Sequence, residues 1–290
     1  MKVYYECGAC YLRQAKEALD LSTDDEDLKL EITSDIIKLL AKEFKKGASS
    51  NATGSKIHKL IREKTGCKDP YKNKKILGNQ IAENLLPQVK EILKKDNSLE
   101  NYVKISIVGN ILDFGTYSIS TDIEKIINKQ LNNNLVINET EKLDKALKKH
   151  DKLLYLVDNT GEIVFDKLLL EKIKKDYDIE ITVAVKETPV LNDACTEDAI
   201  SVGLDKFANI ITIGTDTVGV VYEEISQEFK TIFNNSKFII SKGMGNYEGL
   251  TEIQFNNNQD VFYLLCSKCK ANALDLNVKT GDMVLKKATN

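Results

Sequence analysis

The sequence predicts an α/β protein: a helical N-terminal domain followed by a mainly parallel sheet with helices packed on it. Two observations carry this. Through the first hundred residues apolar side chains recur at helical spacing, and no segment reads as a strand. Beyond them, residues 153–157, 181–185, 210–213 and 238–240 are short, nearly continuous apolar runs, three of them rich in β-branched residues. Such runs suit strands covered on both faces. Helical patterns between them, 163–177 for example, imply right-handed βαβ units.

The elements follow in order. Residues 7–21 read as a helix. Thr23-Asp24-Asp25-Glu26 is a capping-box signature, and Leu28, Ile32, Ile36, Leu39, Leu40 and Phe44 continue from it at helical spacing. Gly47, Ser49 and Ser50 end that helix. Ile57, Leu60 and Ile61 mark a shorter one, stopped by Gly66 and Pro70. Leu77, Ile81, Leu85, Val89 and Ile92 mark another, with Pro87 as a kink. Residues 103–112 are ambiguous: their apolar alternation favours a strand, while Asn110 and Asp113 would share one helix face. Segments 135–137 and 261–265 fit either type. The division falls near residues 97–102, giving a helical domain over 1–100 and a second domain over 101–290.

The bulk numbers exclude some classes. A chain of 290 residues with 42% hydrophobic and 29% charged residues is ordinary for a globular protein of about two domains. A net charge of −3 gives no reason to expect a nucleic-acid or anionic-membrane partner. Lysines in 145–152 and 172–175 have acidic neighbours and read as solvated helix faces. No apolar run approaches the roughly 20 residues of a membrane span, and the N-terminus has no apolar signal core, so a cytoplasmic protein is expected.

Ligands of open parallel sheets bind beyond the carboxyl ends of the strands. Asp158-Asn159-Thr160-Gly161-Glu162 follows the first predicted strand and offers hard oxygen donors ahead of a helix start. Its plain structural reading is a turn with an N-cap. Asp193 follows the second strand, as a further carboxylate or as the N-cap of a helix starting near Ala194. Gly214-Thr215-Asp216 follows the third and Lys242-Gly243-Met244-Gly245-Asn246 the fourth. A strand-end lysine is commonly mere surface, but beside a metal it could neutralise a phosphate oxygen. Together these turns outline a metal-assisted phosphate-ester hydrolysis site. Only two histidines, His58 and His150, are present, both in helical patterns, which argues against a histidine triad or a zinc hydrolase. No G-x-S-x-G or P-loop motif occurs.

At these turns the sequence resembles the damage-control phosphatase family, once a domain of unknown function numbered eighty-nine. The resemblance lies in Val157-Asp158-Asn159-Thr160-Gly161-Glu162, Lys242-Gly243-Met244-Gly245-Asn246-Tyr247-Glu248, Asn192-Asp193-Ala194, Gly109-Asn110-Ile111-Leu112-Asp113-Phe114 and Cys7-Gly8-Ala9-Cys10. It implies a Rossmann-like α/β/α core behind a helical N-terminal part. It implies a metal held by Asp158, Asn159 and Asp193, with Lys242 at the substrate phosphate. It implies phosphatase activity on sugar phosphates or related phosphometabolites, supported by Mn²⁺, Co²⁺, Ni²⁺ or Mg²⁺. Asn110 and Asp113 would line the pocket from a helix, which turns the ambiguity over 103–112 towards helix. Glu162, Asn192, Thr215, Asn246 and Glu248 complete the expected substrate site, with Glu162 or Asp113 as proton acceptor.

Two rival readings stand beside this one. An S-adenosylmethionine-dependent methyltransferase would use the same core, but no glycine-rich loop follows the first strand of the second domain. A non-catalytic metal or redox protein would be organised by Cys7-x-x-Cys10 and Cys266-x-x-Cys269, two pairs with zinc spacing at opposite ends of the chain. Buried apolar thiols are the plain reading of those pairs. Cys67 and Cys195 are singletons without assigned chemistry.

Overall fold

The computed structural model describes residues 1–111, 130, 131 and 133–289, the side chains of Asn110 and Ile111 excepted. Helices α1 (Tyr5–Ser22), α2 (Glu26–Glu43) and α3 (Ser50–Thr65) form a layer with a core of its own, in which Tyr11, Ile32, Ile36, Ile57 and Ile61 are buried. Helix α2 starts where expected, but its cap is Asp25 and not a Thr23–Glu26 box: the Asp25 side chain accepts from the Leu28 amide at 3.0 Å, while Thr23 closes α1. Gly66 ends α3 in the left-handed conformation, as read. Helix α4 (Lys72–Lys95) runs through Pro87 and buries Ala82, Val89 and Leu93 against the sheet domain rather than in the first layer.

Helix α5 (Leu99–Ile111) settles the ambiguous segment. Val103, Ile105, Ile107 and Val108 are all buried, on more than one side of the helix. A helix covered all round has no polar stripe to reveal its period. That is why its alternating residues imitate a strand.

The sheet has seven strands: β1 (Ile137–Asn138), β2 (Lys152–Leu156), β3 (Glu180–Val185), β4 (Asn209–Thr212), β5 (Phe238–Lys242), β6 (Asp260–Cys266) and β7 (Met283–Lys287). Their order is β1-β7-β6-β5-β2-β3-β4. Strands β2 to β6 are mutually parallel, while β7 pairs antiparallel with β6 and parallel with β1. The sheet is therefore mainly parallel, as expected, with an edge pair running the other way. The four apolar runs are β2 to β5, and 261–265 is a strand as well. Strand β7, with two lysines at its end, was not foreseen.

Both faces are covered, which explains the continuous apolar runs. On one face Leu153, Tyr155, Val157 and Val183 pack beneath α4, α5, α6 (Thr140–Lys149) and α7 (Glu162–Asp176). On the other, Leu154, Leu156, Ile239 and Tyr263 pack beneath α8 (Gln227–Asn235), α9 (Gly243–Leu250) and α10 (Lys270–Leu276). His58 is buried in α3 and His150 lies 2.8 Å from Asp260 and stacks on Phe238, so both serve packing. Among the described residues no helix is long and apolar enough to cross a membrane.

The chain builds β2, β3 and β4 outward in one direction, then returns to place β5 on the other side of β2. The crevice beyond the carboxyl ends of β2 and β5 is thus the topological switch point, where open sheets bind ligands. Phe165 of α7, 1% exposed, closes the layer beneath that crevice. Phe165→Ala is expected to destabilise the protein by about 3–5 kcal/mol through the cavity it leaves, measured as a lower urea midpoint at unchanged slope.

Candidate active site

Two strand-end turns are stitched together at the switch point. The turn after β2 runs antiparallel to the segment around Asp193, with a bridge between Asn159 and Asp193. The Thr160 amide donates to the Asn192 carbonyl at 2.9 Å, and the Ala194 amide donates to the Asp158 carbonyl at 2.8 Å. Asp158, Asn159 and Asp193 are thereby held side by side by main-chain bonds, independent of any ligand. Leu191, with φ of 48°, takes the left-handed conformation that a β-carbon disfavours, so the neighbouring contacts must over-determine this turn. The helix after Asp193 starts at Thr196 with Cys195 as its N-cap. Asp193 is therefore not a helix cap, and the plain structural reading of it fails.

The carboxylates here outnumber the cations. Asp158, Glu162, Asp166 and Asp193 are all buried, together with the ammonium groups of Lys186 and Lys242. Asp158 is held well above the usual carboxylate range, first by burial and then by the charges of Glu162 and Asp193. Burial likewise pushes Asp166 and Asp193 up to about 6, against the pull of Lys242 and Lys186 respectively. Lys186 donates to the Gly219 carbonyl at 2.6 Å and lies 3.5 Å from the Asp193 carboxylate. That separation is long for a hydrogen bond, and Asp193 Oδ2 has no hydrogen-bond partner among the described residues. Asn159 turns its amide to the Asp158 carboxylate at 3.0 Å. Two carboxylates and a carboxamide, in surplus negative charge and with one buried oxygen unmatched, fit a hard divalent cation.

Lys242 sits below this group, fully buried. Its ammonium donates to the Ser106 carbonyl at 3.0 Å, to Glu162 and to Asp166 at 2.7 Å, and its side chain is fully buried. All three donors are taken, so the expected contact with a phosphate is not available to it in this arrangement. Glu162, occupied with Lys242, is equally far from acting as an open proton acceptor.

A cavity of about 270 Å³ opens above the stitched turns, between the helical layer and the sheet domain. Asp158, Asn159, Asn192, Asp193 and Glu248 line it, as do Cys7, Cys10 and Cys269. Other expected residues do not. Asn246 is buried and donates to the carbonyls of Val157 at 2.9 Å and of Lys242 at 3.0 Å, lacing the ends of β2 and β5 together. The Thr215 carbonyl accepts from the Glu187 amide at 3.1 Å, away from the cavity lining. Asn110 belongs to α5, but its side chain and all of Asp113 lie outside the described residues. Sequence reasoning missed Tyr11, Ser50 and Asn51 of the helical layer and Lys268 after β6, all on the cavity wall. Only their spacing from helix starts and strand ends could have flagged them.

The four cysteines do not meet as a zinc site. Cys266 is buried on the opposite side of β6, in the core beneath α5 and α7. All six cysteines are free, and among the described residues no three His, Cys, Asp or Glu side chains are grouped to hold a metal. The reason is geometric. Cys266 ends a strand facing one layer, while Cys269 caps α10 on the other side and accepts from the Asn272 amide at 3.4 Å.

A family model described as the damage-control phosphatase ARMT1-like domain matches residues 3–284. The chain belongs to this family. A damage-control phosphatase of Pyrococcus horikoshii is 37% identical over 284 residues, covering 98% of this chain and 97% of that protein. One of Archaeoglobus fulgidus is 32% identical over 291 residues, covering 99% of each. An uncharacterized protein of Methanocaldococcus jannaschii is 39% identical, covering 99% of this chain and 96% of that one. The crystal structure of a Pyrococcus horikoshii protein of the same family superposes with a TM-score of 0.90 at 35% identity and full coverage of both chains. The fold and the phosphatase class expected from the motifs therefore hold for this damage-control phosphatase.

Two outcomes follow from the site's geometry. Gly243 has a φ of +76°, and a β-carbon there would lie 1.8 Å from Asp158 Oδ2. Gly243→Ala must displace the Asp158 carboxylate, so calorimetric titration with Mn²⁺ is expected to show clearly weaker binding while circular dichroism keeps its native form. Asp193 supplies a pH signature. Its pKa rises from 3.8 to about 6 on folding, so the native state binds more protons than the unfolded state in that window. Stability is lost as pH climbs through it. In chelator-treated protein, Asp193→Asn is expected to exceed wild type in unfolding free energy at pH 7, by up to about 3 kcal/mol from urea titration, and to lose that advantage near pH 4.

Proposed function

We propose that this damage-control phosphatase hydrolyses phosphomonoesters of small metabolites, such as sugar phosphates, with a divalent ion held by Asp158, Asn159 and Asp193. The observation that carries the proposal is the main-chain stitching of residues 158–160 to 192–194, which gathers those three side chains on one cavity wall. The surplus of buried negative charge supports a cation there, since uncompensated buried carboxylates are costly. A divalent ion bound by them would polarise the phosphoryl group and lower the pKa of a coordinated water.

The chain's own residues prepare that chemistry. Asn246 ties the end of β2 to the start of α9, so the Asp158 turn cannot drift from Gly243. Met244 and Gly245, in the first turn of α9, line the cavity and offer a helix N-terminus to an anionic group. Lys242 holds Glu162 and Asp166 as ion pairs and keeps the floor charged without presenting them to substrate. Protein walls from two layers flank the site, and their low dielectric strengthens the electrostatic contacts inside. Which of Mn²⁺, Co²⁺, Ni²⁺ or Mg²⁺ serves best depends on the supply, because oxygen donors discriminate weakly among them. Six free thiols suit a reducing compartment, so the proposal sets the enzyme in the cytoplasm.

Purified protein stripped with chelator, then supplied with each ion and p-nitrophenyl phosphate, tests the reading. Turnover should return with at least one ion. Asp158→Asn and Asp193→Asn should each lower kcat/KM by on the order of 100-fold or more, with the fold intact by circular dichroism. Full activity in either variant would refute the proposal.

A further inference from the structure

We propose that Cys7 and Cys269 form a redox-modifiable pair, which a small disulfide oxidises to a bond joining the helical layer to the sheet domain across the cavity. The bond itself is independent of the phosphatase reading, while its effect on turnover rests on that reading. Of the six free thiols, those of Cys7, Cys10 and Cys269 line the cavity that holds Asp158, Asn159 and Asp193. Each of the three is half-buried, whereas Cys266 is buried in the core. Inert apolar thiols therefore describe Cys266 and not the other three.

The two layers bring the pair together. Cys7 stands in the first turn of α1, and Cys269 is the N-cap of α10. Their sequence neighbours Glu6 and Lys270 form an ion pair at 3.7 Å, so the two helix starts are adjacent. The Asn272 side-chain amide donates to the Cys269 sulfur at 3.2 Å and to Glu248 at 2.7 Å. Glu248 and then Cys269 act electrostatically on Cys7, both ahead of Cys10. Cys10 is one turn along the same helix, where β-carbons stand about 5–6 Å apart. Cys269 thus reaches Cys7 from the opposite layer at a comparable range. A disulfide needs roughly 3.5–4.5 Å between β-carbons. The hydrogen-bond ladder of α1 holds Cys7 and Cys10 beyond that span, while Cys269, in extended backbone outside the α10 ladder, can close the remainder.

The exchange is balanced with a small disulfide as oxidant. One protein thiol gives up its proton, and its sulfur attacks a sulfur of the reagent. A mixed disulfide forms, and the expelled small thiolate takes up the proton. The second protein thiol, deprotonated in turn, attacks the protein sulfur of the mixed disulfide. The Cys7–Cys269 bond forms and the second small thiol leaves with the second proton. Two electrons pass to the reagent, which ends as two thiols, and excess thiol reverses the sequence. Burial holds the Cys7 thiol above its usual pKa, so oxidation should quicken as pH climbs through the alkaline range. The bond would draw α1 and α10 together over the wall that carries Asp158, Asn159 and Asp193, barring substrate.

The test treats wild type, Cys7→Ser, Cys269→Ser, Cys10→Ser and, as an off-cavity control, Cys67→Ser with bis(2-hydroxyethyl) disulfide. Remaining thiols are blocked with N-ethylmaleimide, and unreduced peptides are mapped by mass spectrometry. Each protein is also assayed with Mn²⁺ and p-nitrophenyl phosphate before treatment, after it, and after reduction with dithiothreitol and desalting. Wild type should yield a peptide carrying Cys7 cross-linked to one carrying Cys269. Its kcat/KM should fall about tenfold or more and return on reduction. Cys10→Ser and Cys67→Ser should do the same, while Cys7→Ser and Cys269→Ser should each lack the cross-link. No cross-link in wild type overturns the inference, as does a Cys7–Cys10 bond in its place or a cross-linked protein of undiminished activity. A reduced wild type without turnover would sink the phosphatase reading instead, and the peptide map would still decide whether the pair forms.

Discussion

Four carboxylates and two ammonium groups share one buried crevice, and the architecture around them exists to keep that imbalance in place. Burying a carboxylate without full compensation costs several kcal/mol, so such a group survives only where its geometry is imposed from outside. Here the imposition comes from the main chain, through its hydrogen bonds and a glycine gap. Strand β2 delivers Asp158, the antiparallel stitch delivers Asp193, and Gly243 leaves the space that Asp158 fills. The same construction divides the charges into two tiers. Lys242 neutralises Glu162 and Asp166 in the lower tier, while Asp158 and Asp193 on the cavity wall above have the more distant Lys186 against them.

Much of this was legible in the sequence, for identifiable reasons. Strands buried on both faces write themselves as continuous apolar runs, so β2 to β5 were readable, and their order of appearance with intervening helices gave the parallel core. That Asp158, Asn159 and Asp193 come together on one cavity wall was legible because each follows a strand end of the same sheet edge. What escaped was whatever depends on the third dimension. Helix α5 lacks a polar face, so its period was hidden. Strand β7 is short and ends in lysines, so it resembled a surface segment. The CxxC spacing suggested a shared metal, yet strand alternation turns Cys266 to one layer while Cys269 caps a helix on the other.

Lys242 is the most instructive case. Its position at the end of a strand, in a glycine-rich turn, gave no sign that it would be fully buried. The partners that bury it come from α5 and α7, through the Ser106 carbonyl, Glu162 and Asp166. Glu162 and Asp166 are one helical turn apart, so one lysine can pair with both. Spacing at i, i+4 was visible in the sequence, but its target was not, because 76 residues separate Asp166 from Lys242.

The helical layer is bound into the site rather than laid over it. Asn51 of α3 donates to the Gly245 carbonyl at 2.7 Å, Ser55 accepts from the Val218 amide at 2.9 Å, and Ser50 donates to Glu248 at 2.6 Å. Each of these bonds joins a buried polar group of the helical layer to α9 or to the loop after β4. Gly219 explains why the layers can meet so closely: its φ is +62°, and a β-carbon would come within 2.5 Å of Asn51 Nδ2 of the helical layer. A cavity closed this way has one wall from the strand-end turns, carrying Asp158, Asn159 and Asp193, and another from the helical layer, carrying Tyr11, Ser50 and Asn51. The buried charge thus lies on one layer while the facing wall is polar and largely uncharged, so substitutions in the helical wall alter the shape of the cavity without altering the carboxylate cluster itself.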